Sequence, residues 1–391
     1  MSKKHETYNN EPFGKPRHRE KRTFLGVLFV IVLLAVTMSF SIALVIAYLT
    51  PYVSPSTFGP LTIVGIFAPI LYLCVLVCML LWLVTGRWKT AGIVAILLIP
   101  GLFRISDFYN VAFNREVEAK PERQSFTLVT YNVRGFFDDS SQNSVSGIVD
   151  YFNQMENYDI VCFQEFTRDA RGVERLDSLF DARELSYKAD AVEFGEVVLR
   201  TYSRYPILNS GDISGEGRGT SQWLDIMIRR DLRSATDTLR IFNNHLHTMS
   251  ISPGDSEDIS RGKILQDGER MLSIVERIAD NSTIRVDHVD TLRMVMDATP
   301  YKHIVCGDFN DTPMSYVYGE LIEGRKDAFV ESGKGFGFTF RPMYGTLRID
   351  YVLYSEGIEA LKYVADESAE YSDHLPVAVT MKVESNIEIV Q

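Results

Sequence analysis

Three long apolar runs in the first quarter of the chain limit its folding more than any other feature. Phe24 to Thr50, Leu61 to Val84 and Thr90 to Phe103 contain no charged side chain, and about 20 apolar residues suffice to cross a bilayer as a helix. The first two runs meet that length outright. The third is short, but Trp88, Lys89 and Arg104 at its ends are residue types that reach the interface and extend its usable length. The sequence therefore predicts an N-terminal bundle of three transmembrane helices, at about 24–50, 61–84 and 88–106.

Orientation follows from the positive charges in the short flanking segments. The tail before the first run holds Lys3, Lys4, Lys15, Arg17, Arg19, Lys21 and Arg22, whereas Pro51 to Pro60 is uncharged, and Arg87 and Lys89 mark the next connection. Positive charge gathers on the cytoplasmic side. The chain is thus expected to be an integral membrane protein with a cytoplasmic N-terminus and an extracytoplasmic C-terminal domain, periplasmic in a Gram-negative bacterium. The first run is too long for a cleavable signal peptide.

The charge balance is equally uneven. Residues 1–119 hold 11 Lys+Arg against 6 Asp+Glu, which leaves 29 of the 40 basic and 45 of the 51 acidic residues for 120–391, a net of −16. So acidic a domain repels polyanions at long range and lacks the basic footprint of a nucleic-acid binder. Cys74, Cys78, Cys162 and Cys306 all lie in apolar surroundings without zinc-site spacing, and read as small apolar fillers.

The chain divides into a basic tail (1–23), the transmembrane region (24–107), a linker (108–124) and a soluble domain (125–391). Within that domain, short runs rich in β-branched and aromatic residues predict strands at Phe126–Val133, Ile160–Gln164, Val197–Tyr202, Trp223–Ile228, Leu239–Asn243, His303–Cys306, Arg348–Tyr354 and Val377–Val383. Helices are expected at Gly147–Met155, Val173–Asp181 and Gly268–Ala279. Ser210–Thr220, Ser250–Arg261 and 333–345 read as surface loops. Many strands with a few helices suggest packed sheets covered by helices rather than a regular βαβ winding.

Several strands end on polar residues that a strand end does not need. Val129-Thr130-Tyr131 runs into Asn132, Cys162-Phe163 into Gln164-Glu165, and Val305-Cys306 into Gly307-Asp308-Phe309-Asn310-Asp311. Asn243-Asn244-His245 closes another strand, Asp350 opens one, and Asp373-His374 precedes the last. Each alone reads as a turn former or helix cap. Together they form an acid, amide and imidazole set suited to hydrolysis at phosphorus: a hard cation needs only one or two carboxylates, and histidines supply general acid or base catalysis.

The ordered series TYNV (Thr130–Val133), FQE (Phe163–Glu165), YSRYPI (Tyr202–Ile207), NNHL (Asn243–Leu246), GDFND (Gly307–Asp311), RIDYVLYS (Arg348–Ser355) and SDHLPV (Ser372–Val377) closely resembles the endonuclease/exonuclease/phosphatase superfamily over residues 125–383. The resemblance implies an α+β fold, a four-layer α/β/β/α sandwich of two mainly antiparallel sheets flanked by helices. By motif, Glu165 is similar to the principal metal ligand, with Asn132 and Asp373 beside it. Asp308 and Asn310 resemble the pair that positions the attacking water and binds phosphate. His374 with Asp350 resembles the His-Asp dyad, and His245 the second histidine. Asp308 and His374 stand unranked as acceptors of the water's proton. Arg134 and Asn243 are the expected substrate-binding residues. One departure is the helix before GDFN, where the family often has Arg-x-x-Gln and this chain has Arg285-Val286-Asp287-His288.

Together with the apolar runs, the resemblance implies a membrane-anchored, Mg²⁺-dependent phosphoesterase, with Mn²⁺ as the alternative metal. Its expected substrate is a phosphodiester or phosphomonoester, such as a phospholipid headgroup or a small phosphate ester, attacked in line by water. Its expected partners are that ester and the lipid bilayer; nucleic acid is disfavoured by the acidic domain and no protein partner is legible. Two other readings stand beside it: an extracytoplasmic metal-dependent nuclease, and an inactive membrane-tethered binding protein. The completeness of the set speaks against the last.

Overall fold

A computed structural model describes residues 23–111, 125–138, 140–214, 219–228, 237–249 and 253–384. The basic tail up to residue 22, most of the expected linker (112–124), and residues 215–218 and 250–252 of the expected loops lie outside the described residues.

The C-terminal domain is α+β, built on two six-stranded mixed sheets. The first runs Ile358–Ala365, Val377–Val383, Ser125–Asn132, Ile160–Thr167, Val197–Ser203, Tyr187–Phe194 across its width; the second runs Arg325–Asp327, Asp350–Ser355, Lys302–Asp308, Asp237–His245, Thr220–Ile228, Ile207–Ser214. Neighbouring strands are antiparallel except for one central parallel pair in each sheet, Ser125–Asn132 with Ile160–Thr167 and Asp237–His245 with Lys302–Asp308. Two parallel strands need a crossover between them. In the first sheet it carries the helix Val145–Gln154, and in the second the 30-residue helix Gly268–Asp297.

Alternation along each strand divides the core into three. Leu128, Cys162, Leu224, Ile241, Ile304 and Val352 fill the space between the sheets. Val129, Tyr131 and Phe163 face the opposite way and pack with Phe152 and Phe180 of the helices Val145–Gln154 and Glu174–Ala182. Phe242, Val305 and Tyr351 pack against Leu292 and Met296 of Gly268–Asp297 and Leu321 of Tyr316–Ile322.

Toward one end the space between the sheets turns polar while staying buried. Gln164 Nε2 donates to Thr130 Oγ1 (3.0 Å) and Asn243 Oδ1 (2.7 Å), and Thr201 Oγ1 donates to Gln222 Oε1 (2.7 Å). The apolar stripe of Phe126 and Leu128 thus continues, at the same period of two, through Thr130 to Asn132. This is how a core-facing strand delivers a polar side chain to the edge of the sandwich.

Several expectations are corrected. Ile207–Ser214 is an edge strand where a loop was expected from Ser210, and Pro253–Ser260 is a helix within the expected loop Ser250–Arg261. The helix expected to stop at Ala279 continues to Asp297, because Ser282, Arg285, His288, Val289 and Leu292 lie on its buried face. The strands Tyr187–Phe194 and Ile358–Ala365 were not foreseen.

The N-terminal region also differs from the expected three spans. Among the described residues one helix is long and apolar enough to cross a membrane, Phe24–Leu49 with its short continuation to Tyr52. The second run is broken at Phe67 into Leu61–Ile66 and Ala68–Val84, with Pro69 in the first turn of the latter. Proline there has no N–H to extend a preceding helix. The pieces Ala68–Val84 and Trp88–Leu102 are 17 and 15 residues long. They pack on the first helix through Trp82 Nε1, which donates to Thr37 Oγ1 (2.9 Å), and Tyr48, whose hydroxyl donates to Leu97 O (3.2 Å). Part of the expected linker is docked: Tyr109 and Asn110 pair with Phe336 and Gly335.

Candidate active site

The two parallel pairs end side by side, so the C-terminal ends of four strands meet. Asn132 closes one strand of the first sheet opposite Gln164, and His245 and Asp308 face each other across the second sheet, with Asp350 opposite Asp308. The sheets are joined here by side chains: Asn132 Nδ2 donates to Glu165 Oε1 (3.0 Å) and to Asp308 Oδ2 (3.1 Å).

Asp308 is the hub. It is buried, its Oδ1 accepts from the Asn310 N–H (2.8 Å), and its Oδ2 also accepts from Asn310 Nδ2 (3.1 Å). Two imidazoles point at that same Oδ2, His374 Nε2 at 3.6 Å and His245 Nε2 at 3.8 Å. Each is held from behind by a carboxylate on its other nitrogen. His374 Nδ1 lies 2.9 Å from Asp350 Oδ2, and His245 Nδ1 lies 2.6 Å from Glu193 Oε2. A carboxylate on Nδ1 fixes ring orientation and favours the charged form. Burial alone would push both imidazoles down, but Asp350 and Asp308 hold His374 up at about 10, and Glu193, Glu165 and Asp308 do the same for His245. For Asp308, burial pushes the carboxyl up to about 6 against the pull of His374 and His245.

Glu193 was not anticipated from the sequence. Its strand, YKADAVEF, shows no readable alternation and lies at a sheet edge. The structure explains how it reaches the site. Ladder register slips between Phe163 and Phe166 and again between Val192 and Phe194, on the two sides of Val197–Ser203. Bulges re-aim the side chains they contain. Glu165 and Glu193 occupy these two irregularities, and Glu193 Oε1 accepts the Glu165 N–H (3.1 Å).

Backbone strain is concentrated here as well. Glu165 and Asn310 both have φ of 51°, a left-handed conformation that non-glycine residues adopt at a cost of order 1–3 kcal/mol. Gly307 has φ of 123°, and a Cβ there would lie 2.0 Å from the Asn244 carbonyl oxygen. The turn into Asp308 therefore accepts glycine alone.

Of the other expected residues, Asp373 lies by Asn132, since Ser372 Oγ donates to Asn132 O (2.8 Å) and to Asp373 Oδ1 (3.3 Å). Arg134 stands at the rim, its Nε 3.5 Å from Asp373 Oδ2. Asn243 is 0 % exposed and its amide is used by Phe163 O, Thr201 Oγ1 and Gln164 in the seam between the sheets. Arg285, in the loosely matching helix, is wholly buried and donates to His247 O (2.8 Å) and Asp311 Oδ2 (3.3 Å), bracing the loop after Asp308.

The donor set suits a hard divalent cation, which prefers oxygen ligands. Glu165 is partly exposed and its Oε1 lies 3.5 Å from His245 Nε2, while Asp308, Asp350 and His374 each offer a ligand atom within 4.8 Å of the others. Asn132 has its Oδ1 turned to the Arg134 N–H (3.0 Å), so its amide presents nitrogen to the two carboxylates.

Two mixed sheets flanked by helices, with carboxylates and carboxylate-backed histidines at one edge, define a metal-dependent hydrolase of phosphoric esters. The chain belongs to the endonuclease/exonuclease/phosphatase family, whose profile matches residues 129–374; residues 24–108 match a domain of unknown function. Similar solved structures include a family member from Bacteroides thetaiotaomicron, 15% identical over 68% of this chain and 98% of that one with a TM-score of 0.47. Another, from Beutenbergia cavernae, is 16% identical over 67% of this chain and 72% of that one with a TM-score of 0.46. The catalytic domain of human Nocturnin is 14% identical over 66% of this chain and 94% of that one, with a TM-score of 0.46. No curated protein matches the chain.

Proposed function

We propose that this protein is a membrane-anchored, Mg²⁺-dependent phosphoesterase that hydrolyses a phosphodiester or phosphomonoester at the membrane surface by in-line attack of water. The observation that carries this reading is the convergence of two carboxylate-backed imidazoles on one oxygen of Asp308.

In this reading Glu165, with Asn132 and Asp373 beside it, holds the cation; Asn132 does so only after its amide turns its oxygen inward. Mg²⁺ bound there would neutralise charge on the phosphoryl and leaving oxygens. Asp308 and Asn310 orient the attacking water, and Asp308 takes its proton, since Asp350 holds His374 in its charged form. The water oxygen bonds to phosphorus as the ester P–O bond breaks, and the departing alkoxide gains a proton. His245, steadied by Glu193, donates its Nε2–H to a phosphoryl oxygen or the leaving group. Asp350 keeps His374 aimed. Arg134 offers a guanidinium to the ester at the rim.

Anchoring is assigned to Phe24–Leu49, with the shorter hairpin of Ala68–Val84 and Trp88–Leu102 packed along it and Arg87 and Lys89 at the hairpin's tip. The basic tail favours a cytoplasmic N-terminus. A single crossing then delivers residues 125–391 to the extracytoplasmic side. The net of −16 on residues 120–391 weighs against a nuclease.

The test is turnover of a generic soluble phosphodiester and monoester by the full-length protein in detergent, with and without added Mg²⁺. Metal-dependent release that is lost in His374→Ala is expected; equal turnover in that variant sinks the assignment.

A further inference from the structure

The segment between the first two apolar helices, Thr50 to Phe67, is uncharged and packs against the catalytic domain at several points along its length. Thr50 Oγ1 donates to Met314 O (2.7 Å), and Gly65 approaches the same carbonyl so closely that a Cβ would lie 2.2 Å from it. Two more glycines mark the same contact: a Cβ on Gly59 would meet Ala279 at 3.0 Å, and one on Gly319 would meet Pro51 O at 2.9 Å. Apolar packing continues the seam, since Met314 is buried with Ala47 and Ala68, and Ile63 and Ile66 pack on Ile274 and Ile278. Ile66 also joins Leu347, Ile349 and Phe340, whose ring centroid lies 4.9 Å from that of His374. A second attachment follows the last apolar helix, where Asn110 Nδ2 donates to Phe329 O (2.9 Å) and Val330 O (2.7 Å).

These contacts set the height of the active site. Met314 is four positions beyond Asn310, a stretch of at most about 14 Å when fully extended. Asn310 therefore lies no farther than that from a residue hydrogen-bonded to the end of the spanning helix. The 26 residues of that helix measure about 39 Å at 1.5 Å each, against a hydrocarbon core of about 30 Å and a headgroup layer of roughly 5–8 Å on each side. Centred on that core, the helix ends about 5 Å beyond its edge, so the site lies within about 20 Å of the hydrocarbon.

We infer that Thr50–Phe67 is a rigid seat that fixes the catalytic domain on the bilayer, and that the substrate is a phosphate ester borne by a membrane lipid. This rests on the phosphoesterase reading above and narrows its substrate. The seat orients the domain rather than shaping the catalytic loop, because that loop has its own braces in Arg285 with Asp311 and in the Tyr351 hydroxyl, which donates to Asp311 O (2.9 Å).

The experiment uses two esters with the same reacting centre, hexadecyl p-nitrophenyl phosphate in phosphatidylcholine vesicles and ethyl p-nitrophenyl phosphate in solution, with full-length protein reconstituted in the same vesicles. Wild type is expected to turn over the hexadecyl ester at least tenfold more efficiently. Gly65→Val should lower that activity about tenfold and Thr50→Val about threefold, each leaving the ethyl ester within twofold of wild type. The milder Thr50→Val keeps the test open if Gly65→Val misfolds. Equal loss on both esters, or loss on neither, overturns the seat; no preference of wild type for the hexadecyl ester overturns the lipid substrate. Failure of wild type on both esters with Mg²⁺ present overturns the phosphoesterase reading together with the inference.

Discussion

His245 Nδ1 and Glu193 Oε2 lie 2.6 Å apart, and the Glu193 side chain is wholly buried. A buried carboxylate persists only when paired, and here its partner faces Asp308. Glu193→Gln preserves shape but removes the anion that orients and charges the ring. Losing such a supporting partner costs roughly 10- to 100-fold in activity. A kcat reduced by that factor with KM nearly unchanged is the expected result in steady-state kinetics, and wild-type kcat would refute the role.

Glu165 offers its carboxylate beside Asn132 and is about a third exposed, at 34%. If it holds the cation, Glu165→Ala should raise the Mg²⁺ concentration for half-maximal rate at least tenfold and lower the maximal rate by roughly 10²-fold or more. Chelation should abolish wild-type turnover and added Mg²⁺ restore it. Titration calorimetry with Mg²⁺ reads the binding loss without relying on activity.

His303, far from the site, gives a pH signature in stability. Its Nε2 accepts from Arg325 Nε (2.9 Å) and its Nδ1–H faces Tyr301 O (3.2 Å), so the native ring is neutral. Burial, reinforced by Arg325, pushes it down to about 4 from 6.5. Because the unfolded chain takes up the proton first, its contribution is complete above pH 6.5 and is lost as pH falls toward 4, by about 3 kcal/mol in all. Denaturant unfolding from pH 7 to 4 should show this slope, and His303→Gln should flatten it.

Arg285 and Asp311 form an ion pair with both side chains essentially buried, at 0% and 1% exposure. Removing one partner of such a pair costs about 3–5 kcal/mol, and each kcal/mol moves Tm by about 2–4 °C in a domain of this size. Arg285→Met should lower Tm by roughly 10 °C. A thermal melt unchanged within a degree or two would remove the proposed brace.

What could be read in advance was whatever rests on local pattern. Strands such as Val377–Val383 advertise themselves by β-branched residues, and the polar strand ends Asn132, Asp308 and His245 stand out because nothing structural requires them. Edge strands were lost because a sheet edge imposes little apolar pattern, as in ILNSGDIS and YKADAVEF, and Glu193 was lost with them. The helix Gly268–Asp297 outran its expected end because burial of Ser282, Arg285 and His288 outweighs the weak helix preference of Asn281-Ser282-Thr283. Asn243 shows why a polar residue near a strand end is ambiguous in sequence: it can serve the seam between two sheets as well as a substrate.

The paired register slips around Val197–Ser203 make residue count, as well as residue identity, part of the active site. Deleting Gln164 would flatten the ladder: Glu165 would follow Phe163 directly and take the place of Gln164 in the seam between the sheets, while Phe166 stayed opposite Val198, and the bulge that aims Glu165 at Asn132 would be gone. Relatives that preserve this chemistry can exchange many neighbouring residues, but an insertion or deletion between Phe163 and Phe166, or between Val192 and Phe194, should be among the changes the lineage least accommodates.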